Sequence, residues 1–133
     1  MVARNGRSLV FKGKKKTPAG RLLTLSEIAA HLKLDRTRLV VLSACESGLV
    51  DSLGSADEYI GLQAGFLQSG AKAVLSSLWL VDDEATKELM IRFYHNHLKE
   101  DMEPSTALWN AQLSMHQDRF SPCHWGAFFL TGL

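Results

Sequence analysis

Two apolar runs dominate the hydropathy pattern. Leu39-Val40-Val41-Leu42 is unbroken and half β-branched, followed by Ser43-Ala44. That reads as a strand buried on both faces, as in a parallel sheet, over roughly Arg38 to Ala44. Ala71 to Trp79, AKAVLSSLW, predicts a second strand of the same kind. Between them, Glu46 to Ala56 holds Gly48, Gly54 and several serines and reads as a loop. Asp57 then opens a helix with Ile60, Ala64 and Leu67 on one stripe and Gly70 as its stop. Asp82-Asp83-Glu84 opens an amphipathic helix reaching about Leu98, with Leu89, Met90, Phe93, Tyr94 and Leu98 as its apolar face. Pro104 starts another, with Leu108, Ala111 and Met115 in register. Trp125 to Leu130 predicts a last strand ending at Gly132. Upstream, Ser8 to Phe11 is a short strand and Lys12 to Gly20 a turn-rich connection. Thr24 with Glu27 is a capping box for a short helix from Leu25 to about Leu32.

Strands thus alternate with helices, which predicts an α/β fold with a mostly parallel sheet flanked by helices. The unit from Leu39 through the Asp57 helix to Trp79 is a βαβ crossover, expected to be right-handed. Parallel strands share a carboxyl edge, where the ligands of open α/β sheets gather. Cys45 follows the first strand and Asp82-Asp83 the second, so topology alone predicts that they face one crevice.

Composition narrows the function classes. With 133 residues and 46% hydrophobic content, the chain suits one domain with a substantial core. A net charge of +1 gives no general case for binding nucleic acid or a membrane. The charge is uneven, since Arg4, Arg7, Lys12, Lys14, Lys15, Lys16 and Arg21 crowd one end without an acid among them. Residues 1–20 therefore read as a basic segment with an edge strand; a basic patch for an anionic partner is one reading of its charges, and a solvated loop or a guarded strand edge is the favoured one. No apolar run approaches the ~20 residues of a membrane span, and no signal-peptide core follows the first charges. Cys45 and Cys123 make neither a disulfide framework nor a zinc motif, so the expectation is a reducing cytoplasm, no metal and no cofactor.

A nucleophilic cysteine needs a base or cation to favour its thiolate and donors to hold the oxyanion. The segment after Cys45 offers backbone N–H groups, and Gly48 lets the backbone approach a ligand closely. The alternative for Cys45 is a small buried hydrophobe.

Three separated motifs sharpen the choice: LSACESG, then GLQAGFLQSGAKAVLSSLWLVDDEAT, then SPCHWGAFFLTG. Together they resemble the CHAT family of caspase-like cysteine peptidases, itself similar to separases and more distantly to caspases. The resemblance runs from about Gly20 to the C-terminus, making residues 21–133 the C-terminal part of such a domain, with a sheet incomplete on its N-terminal side. It implies a Cys-His dyad with Cys45 as nucleophile and its N–H in the oxyanion hole. It implies a protein or peptide substrate, with Glu46, Gly48 and Asp83 in the substrate-binding set. Asp83 falls where the separase-like pattern carries an acidic residue that receives an Arg or Lys side chain. Helix capping by Asp82 and dipole compensation by Asp83 and Glu84 is the structural alternative.

The chain departs from the pattern at the base. The family's histidine precedes glycine at a strand end upstream of the cysteine. None of His31, His95, His97, His116 and His124 is followed by glycine. Only His31 lies upstream of Cys45, in the predicted short helix. The expectation is a nucleophile-bearing part of a CHAT-type endopeptidase that is inactive alone. Self-association or pairing with a complementing N-terminal chain would cover the open sheet. A non-catalytic interaction or oligomerisation module is the competing reading. A Rossmann-like nucleotide binder ranks last, because no G-x-G-x-x-G or Walker pattern follows a strand.

Overall fold

The computed structural model describes residues 2–4, 8–12, 33–43 and 56–132. The elements are β1 (Val2–Arg4), β2 (Ser8–Lys12), β3 (Leu39–Ser43), α1 (Ala56–Gln68), β4 (Ala73–Ser77), α2 (Asp83–Leu98), α3 (Pro104–Gln117), α4 (Pro122–Trp125) and β5 (Phe128–Gly132). The predicted helix over Leu25 to Leu32 lies outside the described residues.

The strands form one sheet in the order β1-β2-β3-β4-β5. β2 and β3 are parallel, from Ser8 opposite Leu39 to Lys12 opposite Ser43. β3 and β4 are parallel too, from Leu39 opposite Ala73 to Val41 opposite Leu75. β1 runs antiparallel to β2, with Val2 opposite Val10. The Leu78 N–H donates to the Ala127 carbonyl at one end of β5, while Gly132 lies against Lys72 and Ala73 at the other, so β5 is antiparallel to β4. The sheet is therefore mixed, with a parallel centre and antiparallel margins.

Three boundaries differ from the sequence reading. β1, only three residues long, carried no pattern signal. β4 stops at Ser77, two residues short of Trp79. Trp125, where the predicted last strand begins, is instead the end of a helical turn over Pro122–Trp125, so β5 begins at Phe128. Pro122 supplies the fixed φ that starts such a turn, and the Gly126 N–H closes it on the Pro122 carbonyl at 2.8 Å.

The chain divides into two compact units, Met1–Ser76 with Thr131–Leu133, and Ser77–Leu130. In the first, Val40, Leu42 and Val74 line one sheet face and cluster with Leu34, Phe66 and Ala71, with Leu62 and Leu67 packed alongside. Each fully buried apolar side chain contributes roughly 1.5–3 kcal/mol. α1 ends in a Schellman motif: Ala71 N–H bonds Phe66 O at 3.1 Å and Gly70 N–H bonds Leu67 O at 3.0 Å. Gly70 holds φ +103° there, and a Cβ on it would stand 2.6 Å from Asp35 Oδ1. Gln63 of α1 is buried, and its Oε1 accepts from the Thr131 hydroxyl at 3.3 Å.

In the second unit, α2 and α3 form an antiparallel hairpin. Leu89 and Phe93 of α2, and Ala107, Ala111 and Met115 of α3, have no exposed surface. Their spacing is the 3.6-residue stripe that the pattern announced. Asn96 Nδ2 donates to the Ala107 carbonyl at 3.1 Å across the hairpin. Arg92 ties the two helices together: it bonds Glu88 of its own helix at 2.7 Å, Ser114 of α3 at 3.0 Å and Asp118 at 2.8 Å, with its guanidinium 5.7 Å from the Phe120 ring centre. Gln112 Nε2 donates to the carbonyls of Trp125 and Phe128, at 3.0 and 2.8 Å, bracketing the passage from α4 into β5.

Candidate functional site

The register fixes the carboxyl edge of the parallel strands. β2 ends at Lys12, opposite the end of β3 at Ser43. Cys45 follows Ser43 by two residues in the sequence. Cys45, Glu46, Gly48 and His31 lie outside the described residues, and so does the predicted meeting of Cys45 with Asp82-Asp83. The parallel β3 that leads to Cys45 is described, and it has the buried, β-branched character the sequence predicted: Leu39 to Leu42 are all buried.

Asp83 opens α2, as the acidic run predicted. Asp82 is the cap: its Oδ2 accepts the Ala85 N–H at 3.1 Å and satisfies one of the helix's orphan donors. Asp83 and Glu84 stand in the first turn, exposed, where the positive end of the helix dipole favours their carboxylates. Among the described residues neither has an ion-pair partner. The capping role thus falls to Asp82, and Asp83 is exposed, with no ion pair among the described residues.

Sequence reasoning missed the residues just before them. Leu78 and Trp79 read as the end of a strand, and the structure exposes both, together with Leu80. The chain leaves β4 at Ser77, and the Trp79 indole N–H donates to the Cys123 carbonyl at 3.0 Å. The partner lies forty-four residues away, a distance that local periodicity does not register. Val81, next in line, is buried and returns the chain to the core before α2.

The histidines have identifiable surroundings in the second unit. His97 Nδ1 lies 2.7 Å from the Met102 carbonyl and its ring stacks on Phe93. His116 meets the edge of Trp125, and His124 that of Phe120. His95 is exposed in the last turn of α2. Exposure of His95 beside a half-buried His97 agrees with their pointing to different helix faces. Cys123 is exposed, its Sγ 3.2 Å from the Ser121 hydroxyl. Among the described residues no three His, Cys, Asp or Glu side chains group as a metal site, and no helix is long and apolar enough to cross a membrane.

Two titrating groups among the described residues are displaced from their ordinary values, and both serve packing. Burial works to lower the Arg92 pKa, but hydrogen bonds and Coulomb attraction from Glu88 and Asp118 outweigh it, so the net shift is upward. Burial alone pushes the Tyr94 phenol up to about 12.

Comparison with known proteins agrees with this geometry. The model of the CHAT domain family matches residues 3–133. Tetratricopeptide repeat protein 28 of Homo sapiens is 34% identical over 113 residues, covering 84% of this chain and 4% of that protein. The protein of the same name from Mus musculus is 33% identical over 113 residues, with the same coverage. The chain thus spans about 4% of the length of the curated relatives it matches. No solved structure matches it. With a mixed α/β sheet, a buried parallel β3 that precedes the sequence ACESG, and a family match over almost its whole length, the chain belongs to the CHAT domain family.

Proposed function

We propose that this CHAT module is the nucleophile-bearing part of a caspase-like cysteine endopeptidase, with Cys45 as the nucleophile. The observation that carries the reading is the register. β3 runs parallel to both neighbours and ends at Ser43, two residues before Cys45, on the edge where α/β sheets present their chemistry. In this reading the Cys45 thiolate attacks the scissile carbonyl carbon. The Cys45 backbone N–H helps hold the oxyanion, and the departing amine takes a proton from a general acid. Asp83, exposed and without an ion-pair partner among the described residues, receives the Arg or Lys side chain preceding the cut, a charge-assisted contact.

None of the five histidines stands before a glycine, the pattern in which the family carries its base. A thiol without that base keeps a pKa near ~8.5 and is mostly protonated at neutral pH. The module by itself therefore has little or no peptidase activity. The same observation favours a second reading, a non-catalytic interaction module on the same scaffold.

A thiol-reactive peptide ending in Arg separates the two. Labelling of Cys45 that disappears in Cys45→Ala and persists in Cys123→Ala supports the nucleophile. Absence of labelling, together with a stable dimer or complex in light scattering, supports the interaction module. Replacing Asp83 with Ala in a form that cleaves after Arg or Lys tests the specificity assignment, and undiminished cleavage there would remove it.

A further inference from the structure

The two helices of the hairpin differ sharply in charge. α2 carries Asp83, Glu84, Lys87, Glu88 and Arg92, whereas α3 has no Asp, Glu, Lys or Arg in its fourteen residues. Yet α3 has an open outer face. Trp109 is 65% and Leu113 40% exposed. Four residues apart, they lie one above the other on a stripe separate from the buried Ala107, Ala111 and Met115. Thr106, His116 and Gln117 are exposed too, and only His116 among them can carry a charge. The His116 ring meets the edge of the half-buried Trp125 at 5.7 Å, so the aromatic surface continues onto α4. Depletion of charge around an exposed Trp is the composition of an interface core. The helix beneath is held from its inner side: Asn96 reaches the Ala107 carbonyl, Arg92 the Ser114 hydroxyl, and Gln112 the carbonyls of Trp125 and Phe128. A partner meeting this face therefore loses little to ordering it.

We propose that the outer face of α3 is a self-association surface, on which a second copy of this chain packs its own α3 antiparallel about a two-fold axis level with Ala111. Such an axis sets Trp109 of each copy against the partner's Leu113, and Thr106 against the partner's His116, the reciprocal pairing of an isologous contact. Charge fixes the direction. Glu100, Asp101 and Glu103, all exposed, precede α3, and the exposed Arg119 follows it, while Asp118 is held by Arg92 at 2.8 Å. An antiparallel pair lays the acidic end of each copy beside the partner's Arg119 and opposes the two helix dipoles, whereas a parallel pair stacks the carboxylates on each other. Charge also selects the occupant. Nucleic acid and anionic lipid need cations beside the apolar residues, and α3 supplies none. A foreign helix with an ordinary set of charges would bury some of them unpaired, and a second copy of α3 brings none. Area sets the strength. α3 is about 21 Å long, and the pair buries on the order of 400 Å² per copy, about half of what a standard stable complex takes. The dimer is therefore weak, with a dissociation constant on the order of 100 µM. The assignment does not rest on the peptidase reading.

The test is sedimentation equilibrium of the full chain from about 5 to about 500 µM, with a reductant present to exclude dimers linked through Cys123. The chain passes from monomer to dimer across that range. Trp109→Ser and Leu113→Ser, both at exposed positions, each raise the dissociation constant at least roughly tenfold and leave the thermal melt unchanged. Ile91→Ser and Leu98→Ser, also exposed but on α2, leave the dissociation constant where it was. Arg119→Glu raises it roughly threefold or more, because the antiparallel pair makes that contact twice. A chain that stays monomeric throughout, a dimer indifferent to Trp109→Ser, a dimer that Ile91→Ser dissolves, or one that Arg119→Glu tightens would each overturn the assignment. Binding to phosphatidylglycerol vesicles that Trp109→Ser abolishes would overturn it too, in favour of a lipid surface. Cys45→Ala leaves the dimer intact, so a failure to label Cys45 removes the peptidase reading without touching the α3 pair.

Discussion

Tyr94 offers a test of the packing in which perturbation, size and sign all follow from the structure. Among the described residues its hydroxyl is buried without a hydrogen-bond partner. Desolvation pushes its pKa up to about 12. Tyr94→Phe deletes the unpaired hydroxyl and keeps the ring, whose centre lies 5.3 Å from that of Phe93. Burying an unpaired hydroxyl costs ~1–3 kcal/mol, so the variant is more stable by about 1 kcal/mol at pH 8, after discounting for the part of the side chain open to water. Alkali enlarges the gap. The unfolded phenol loses its proton near pH ~10 and the folded one near 12, so between those values the unfolded state binds fewer protons and wild-type stability falls. Linkage gives about 1.4 kcal/mol of loss at pH 11 and none at pH 8. Tyr94→Phe lacks this loss, so its advantage should reach about 2 kcal/mol at pH 11. Urea denaturation of both proteins at pH 8, 10 and 11, followed by circular dichroism, measures it. A variant less stable than wild type at pH 8, or a gap that stays constant from pH 8 to 11, would refute the argument.

Other substitutions probe the remaining joints. Gly70→Ala should cost at least ~2 kcal/mol in a thermal melt, since φ +103° is strained for any residue with a Cβ and this one meets Asp35. Arg92→Met should cost ~1–3 kcal/mol by urea denaturation because it unties Glu88, Ser114 and Asp118 together, with Arg92→Lys recovering only part since an ammonium lacks the planar fork. Asp82→Ala should cost ~1 kcal/mol in the same assay and Asp83→Ala only ~0.3 kcal/mol, because Asp82 alone bonds an orphan N–H of α2. Equal losses would move the capping role.

The elements legible in the sequence were those with a strong local rule. Leu39 to Leu42 form an uninterrupted apolar strand because both faces are covered, and α2 starts at its acidic run because Asp82 caps it. Gly70 stops α1 because only its backbone adopts the needed φ without strain. What escaped depends on distant partners. The end of β4 is set where Trp79 finds the Cys123 carbonyl, and β5 starts late because α4 intervenes, with Gln112 spanning the junction. An apolar Leu-Trp-Leu run scores as core in any local window, so its exposure had no sequence signal. Cys45 was legible as a candidate in the opposite sense: in the sequence an apolar run is followed at once by small residues, the cysteine and Gly48.

The division of the chain has a bearing on its synthesis. The first compact unit includes Thr131, whose hydroxyl bonds Gln63, so its contacts close only after residues 77–130 have been made. At ~5–20 residues per second that interval is on the order of several seconds. Throughout it, the buried Gln63 has no Thr131 to accept from and β4 has no β5 beside it. A nascent chain in this state carries an open strand margin, the kind of surface that chaperones hold and neighbouring chains invade. The hairpin of α2 and α3, whose contacts are close in sequence, can fold within the same interval.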